Sequence, residues 1–305
     1  MKTKSPELIA AYQFCQQLAQ SHYENFPVAS IVLPKRLRQA ISVIYAFART
    51  ADDFADEGTL SNEQRLQQLD DYRESLLAIG QHNYQGTVPI FIALADVIHN
   101  FSLPLKLFED LLSAFKQDVI KNRYENFNTV LDYCTRSANP VGRLLLYLEG
   151  NITPLQLEQS DAICTALQLI NFCQDIEQDY HEQDRIYIPQ DELICLGLTE
   201  SDLINLNSKK IAPLLRSLYY RSQQMLASGY TLGMGLSGRI GWEVRAMTLS
   251  GIHTLVLLQQ QSDDHLLTRP RLGKAMLFKI MANSLSKSYY QHACHKLFQR
   301  LDHNR

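Results

Sequence analysis

From Ala162 to Gln174 the chain carries no charged side chain, and apolar residues fall nearly all round a helical repeat. Such a segment is expected to be a helix lying deep in the protein. Yet Asn171, Asp175 and Asp179 recur at i, i+4 and i+8 towards its end. At about 100° per residue these three drift only about 80° round the axis, so a helix over 154–180 lines them along one flank. Unpaired carboxylates are costly to bury, so the row needs cationic partners. Arginines from elsewhere would serve, and so would metal ions.

The rest of the chain is helical in pattern too. Its 305 residues include only 13 Gly and 10 Pro. Ser5-Pro6-Glu7 opens one helix with Pro in the first turn. Leu37, Ile41, Ile44, Phe47, Ala48 and Ala51 step by three and four through a helix that begins at Pro34 and ends at Gly58. Ser61 and Gln64 form a capping box for the next. Further helices are expected at 89–99, 104–121, 127–135, 140–148, 154–180, 209–234, 238–260 and 274–302. Alternating β-branched runs are absent, and Arg185–Pro189 ("RIYIP") is the best extended segment. The joints at 80–89, 150–154 and 205–210 are short enough for loops within a domain. The expectation is one all-α domain spanning 1–305, with two domains as the less favoured division.

Composition removes several classes of function. A net charge of −3 gives no global attraction to nucleic acid, and no nucleic-acid motif is present. The N-terminal segment has an early acid and no apolar core or cleavage site, so it does not read as a signal peptide. No run of about 18 apolar residues predicts a membrane span. The six cysteines are scattered without a C-x-x-C pair, and several sit in apolar helical positions, which fits reduced thiols in a cytoplasm.

A second acidic row lies in "AFARTADDFADEG", Ala46 to Gly58. On a helix Asp52 pairs with Asp56 and Asp53 with Glu57, each four apart; such like-charge pairs destabilise an isolated helix by a few tenths of a kcal/mol. A solvated helix end would explain a lone cluster. Two oxygen-rich rows in one chain point instead to hard cations. Mg²⁺ suits them, because it binds few carboxylates, keeps waters and takes substrate phosphate oxygens. It would ease the departure of diphosphate by neutralising the charge that develops.

"DDFAD", followed some way on by "NFCQDIEQD", resembles the paired aspartate-rich motifs of the squalene/phytoene synthase family. "YAFAR", "ANPVGR" (138–143) and "RIYIP" agree, and the likeness runs from His22 to the last helices. It implies an isoprenoid synthase fold, helices around a central apolar cavity. It also selects Asp52 and Asp56 over Asp53 and Glu57. By the same likeness Asp52, Asp56, Asn171, Asp175 and Asp179 hold Mg²⁺, with the four aspartates catalytic. Arg49, Arg185, Tyr187, His22 and Tyr45 would bind the diphosphate of a prenyl diphosphate substrate. Arg forks suit that task, and their alternative is ion pairing with the same aspartates. Phe26, Tyr45, Phe47 and Tyr133 are candidates for aromatic faces that stabilise a carbocation.

Within the family, "SHYENFPVAS", "YAFARTADDFADEG", "ANPVGRLLLY" and "GRIGWE" resemble the branch that converts presqualene diphosphate and water to hydroxysqualene on the way to squalene and hopanoids. That implies a presqualene diphosphate-forming enzyme upstream and a flavin-dependent reductase downstream. Two departures from condensing relatives agree: Tyr23-Glu24-Asn25-Phe26 replaces a basic segment, and Gln174 stands where those relatives often carry Arg. The alternatives are head-to-head condensation of two prenyl diphosphates and a non-catalytic helical interaction protein.

"GMGLSG" (233–238) satisfies G-x-G-x-x-G without a strand before it, and reads as a turn. His292 and His295 lack further metal ligands and read as a solvated helix face. The basic segments 33–39 and 269–274 suit peripheral contact with anionic lipid at the inner membrane surface.

Overall fold

The structure, a computed structural model, describes residues 5–21, 35–204, 208–263, 266 and 268–303. Among them no strand forms; "RIYIP" contributes only an isolated parallel bridge between Ile186 and Arg123. In chain order the helices are α1 (Pro6–Ser21), α2 (Lys35–Asp56), α3 (Asn62–Gly80), α4 (Pro89–Phe101), α5 (Leu105–Ile120), α6 (Phe127–Ser137), α7 (Asn139–Glu149) and α8 (Pro154–Gln174). They continue as α9 (Ile176–Gln183), α10 (Gln190–Cys195), α11 (Glu200–Ile204), α12 (Ser208–Gly229), α13 (Leu232–Gly235), α14 (Gly238–Gln260), α15 (Lys274–Leu285) and α16 (Lys287–His303).

The chain divides into two compact units, 1–121 with 140–152 and 122–139 with 153–305. Neither is one continuous stretch. In the first, α2 packs against α1, α3, α4 and α5. Leu37, Val43, Ala46, Phe47 and Ala51 are fully buried on it. The Phe47 ring lies 5.0 Å from Tyr72 and 5.3 Å from Phe108, so it is a core residue of this unit. The Ser61–Gln64 capping box starts α3 as expected.

In the second unit α8 packs against α12 and α14. A Thr153–Gln156 capping box and Pro154 at the first turn start it. Ile163, Ala166, Leu169, Ile170, Phe172 and Cys173 are buried along it. At Gly229 the end of α12 comes so close that a Cβ would stand 2.6 Å from the Gln159 carbonyl oxygen. Any side chain there would push the two helices apart.

Three expected helices are divided. The 154–180 helix breaks at Asp175, whose φ −110° and ψ 14° are not helical. The 209–234 helix ends at Gly229 before the short α13, and the 274–302 helix breaks at Ser286, which is extended at ψ 133°. Helices α10 and α11 had no sequence signal, being too short to show a period.

Candidate active site

In the first unit the acidic row closes the C-terminal end of α2, where the helix dipole is negative and carboxylates are disfavoured. The Arg49 guanidinium compensates: it lies 3.2 Å from Asp52, 2.7 Å from Asp53 and 2.6 Å from Glu57. Asp53 and Glu57 are therefore ion-paired rather than simply solvated. Arg65, which sequence reasoning missed, supplies a second cation to the helix end. Its guanidinium donates to the carbonyls of Ala55, of Gly58 at 2.9 Å and of Leu60 at 3.2 Å. Tyr45 is half-buried one turn before Arg49. His22, with residues 23–26, lies outside the described residues.

In the second unit the break at Asp175 does not scatter the other row. The Asp175 amide donates to Asn171 O at 2.9 Å, and the Asp179 amide donates to Asp175 O at 2.7 Å. The i→i+4 ladder thus continues through a non-helical residue. Non-helical geometry of this kind often marks functional positions. Burial pushes the Asp179 carboxyl up to about 7, and the charge of Asp175 adds to it, against opposing effects of Arg185 and Arg269. Asp175 is raised as well, by burial, with Arg269 acting the other way.

Arg185 is buried, 8% exposed, and its amide donates to Asp179 O at 3.0 Å. Tyr187 stacks on Phe172 with centroids 3.8 Å apart and planes 7° from parallel. Tyr133 and Tyr124 stand beside it, at 5.6 Å and 5.4 Å. One aromatic group therefore adjoins the acidic row, and Tyr133 belongs to it. Arg269 is the second residue that sequence reasoning missed here, having read 269–274 only as a basic patch. Its Nε lies 2.8 Å from Asp175 Oδ1, and its Nη1 donates to Gln178 at 3.2 Å. The Gln174 amide donates to Pro270 O at 3.1 Å, so a neutral group tied to backbone occupies that position.

The donor chemistry of both rows fits Mg²⁺, since every donor is a hard carboxylate or amide oxygen. The second row gives a separate indication: a poorly solvated carboxyl beside another carboxyl is relieved by a cation. Among the described residues no three His, Cys, Asp or Glu side chains form a ready-made cage. Mg²⁺ does not need one where substrate phosphate and water complete its shell.

The set-aside patterns have structural explanations. "GMGLSG" covers α13 and the turn into α14; the Gly233 carbonyl accepts from Arg245 at 2.9 Å. His295 pairs with the Tyr230 hydroxyl at 3.0 Å, and His292 is exposed. The cysteines are free, and burial pushes Cys173 up to about 12. Among the described residues no helix is long and apolar enough to cross a membrane.

A family model described as squalene/phytoene synthase matches residues 19–275. The hydroxysqualene synthase of Rhodopseudomonas palustris is 36% identical over 77% of this chain and 80% of its own length. That of Zymomonas mobilis is 42% identical over 59% of each. Among solved structures, squalene synthase HpnC from Alicyclobacillus acidocaldarius superposes with a TM-score of 0.75 at 32% identity. That match covers 85% of this chain and 96% of the other.

Proposed function

Because the chain belongs to the squalene/phytoene synthase family, whose fold it shares, we propose that it converts presqualene diphosphate and water to hydroxysqualene, inorganic diphosphate and a proton. The C–O bond to diphosphate breaks with its electron pair leaving on oxygen, the resulting cyclopropylcarbinyl cation rearranges with opening of its three-membered ring, and a water oxygen forms the new C–O bond at the rearranged cationic carbon. The observation that carries this over condensation is Gln174. Two diphosphates bound at once need more cationic contacts than one, and this position offers a neutral amide held by Pro270. Relatives named hydroxysqualene synthase support the same choice.

Bound by Asp52 and Asp56 in one row and Asn171, Asp175 and Asp179 in the other, Mg²⁺ would supply charge neutralisation to the leaving diphosphate. Arg49 would exchange carboxylate partners for diphosphate oxygens, and Arg185, Tyr187, Tyr45 and His22 complete the proposed diphosphate contacts. Tyr133 and Tyr187, with Tyr124 and Phe172, offer π faces that stabilise a carbocation without trapping it. Departing diphosphate takes the proton that water loses. A condensing enzyme must supply this substrate, and a flavin-dependent reductase is the expected consumer of the alcohol. Substrate and product are long hydrocarbons, so a position at the membrane surface serves both.

The test is to incubate purified protein and Mg²⁺ separately with presqualene diphosphate and farnesyl diphosphate, then identify products by mass spectrometry. Hydroxysqualene from the first is expected. Conversion of farnesyl diphosphate with no action on presqualene diphosphate overturns the proposal in favour of condensation.

A further inference from the structure

Helix α15 is more apolar than its packing requires. It buries Ile280 and Ser284 against the second unit, yet sends Leu277 (42% exposed), Phe278 (78%) and Leu285 (64%) to solvent. Tyr289, one turn into α16, is 68% exposed. Leu277, Phe278, Ala282 and Leu285 fall within an arc of about 140°, so they form one face. A contiguous apolar patch of this kind marks an interaction surface. The stretch of chain that carries it has a single sign of charge. From Arg269 to Leu301 there are seven Lys and Arg and no Asp or Glu, in a chain whose net charge is −3. Arg271, Lys274, Lys279 and Lys287 are exposed.

We propose that the exposed face of α15, continued by Tyr289, is the surface by which the protein docks on an anionic lipid bilayer. Apolar side chains enter the interface while the lysines meet lipid phosphate. A second copy of the chain suits the face poorly, since a two-fold pair would set Lys274 and its neighbours against like charges. The placement also has a functional logic. Gln174 and Asp175 hold Pro270 and Arg269, and α15 begins at Lys274. Four residues span at most about 14 Å, so the face starts close to the second acidic row. The surface stands on exposure and charge; its purpose, passing a hydrocarbon substrate and product between bilayer and site, rests on the proposed reaction.

The experiment is sedimentation with vesicles of phosphatidylcholine, with and without phosphatidylglycerol, alongside turnover of presqualene diphosphate in detergent and in vesicles. Wild type is expected to partition roughly ten-fold more onto the anionic vesicles. The double variant Phe278→Glu/Leu285→Glu should lose that binding and vesicle turnover while keeping detergent turnover and its circular dichroism. Arg271→Gln/Lys274→Gln, which leaves the apolar face intact, should lose only the preference for anionic lipid. Equal binding to both vesicle types, or unchanged binding by the glutamate variant, overturns the proposal. So does sedimentation velocity showing a dimer that this variant dissolves. Absence of detergent turnover in every protein refutes the proposed reaction instead, and the vesicle comparison still decides the surface.

Discussion

On the proposed reaction Arg49 would have two tasks that compete. It neutralises the end of α2 by holding Asp52, Asp53 and Glu57, and the proposed reaction asks it to release them for diphosphate. Asp52→Asn and Asp175→Asn should each lower kcat roughly 100-fold or more, read from the rate of diphosphate release. Arg269 holds Asp175 and would compete there with the proposed Mg²⁺, so Arg269→Gln should lower the Mg²⁺ concentration that half-saturates the enzyme. Glu243 is a buried carboxyl. It is 4% exposed on α14, its Oε2 accepts no hydrogen bond among the described residues, and burial pushes it up to about 7. A carboxyl raised above its unfolded value of 4.5 lends stability below that value, and loses it as pH rises through about 7. The loss is at most about 3 kcal/mol. Thermal unfolding of Glu243→Gln should therefore show a flatter decline between pH 5 and about 8 than wild type. The acidic rows were legible in sequence through their spacing of four, and Arg185 and Tyr187 through the family likeness. Arg65 and Arg269 were not, because each reaches its partners from another element.

At the scale of elements, apolar periodicity located the long helices, and the Ser61–Gln64 box marked a start. It could not show the break at Asp175, where the side-chain spacing runs on as if the helix continued. Breaks at Tyr230–Thr231 and Ser286 were hidden likewise, since no Pro marks either. The end of α2 depends on a residue of α3: Arg65 binds three carbonyls near it. Arg65→Ala should cost about 1–2 kcal/mol in urea unfolding. It should also raise the Mg²⁺ requirement, because Asp56 loses its fixed backbone.

For the whole molecule, the first unit is incomplete without residues 140–152, which return to it after an excursion through the second. Buried Leu144, Leu146 and Leu148 arrive with that return. A fragment of residues 1–121 should therefore lack cooperative thermal unfolding, whereas the full chain shows it. This exchange of chain between units left no linker for composition to reveal. The chain also contains one tryptophan, Trp242, whose indole donates to Ser284 Oγ on α15 at 2.6 Å. Its emission consequently reports from a single place, the seam that anchors the proposed lipid-facing helix, so the native protein is its own fluorescent gauge of that helix.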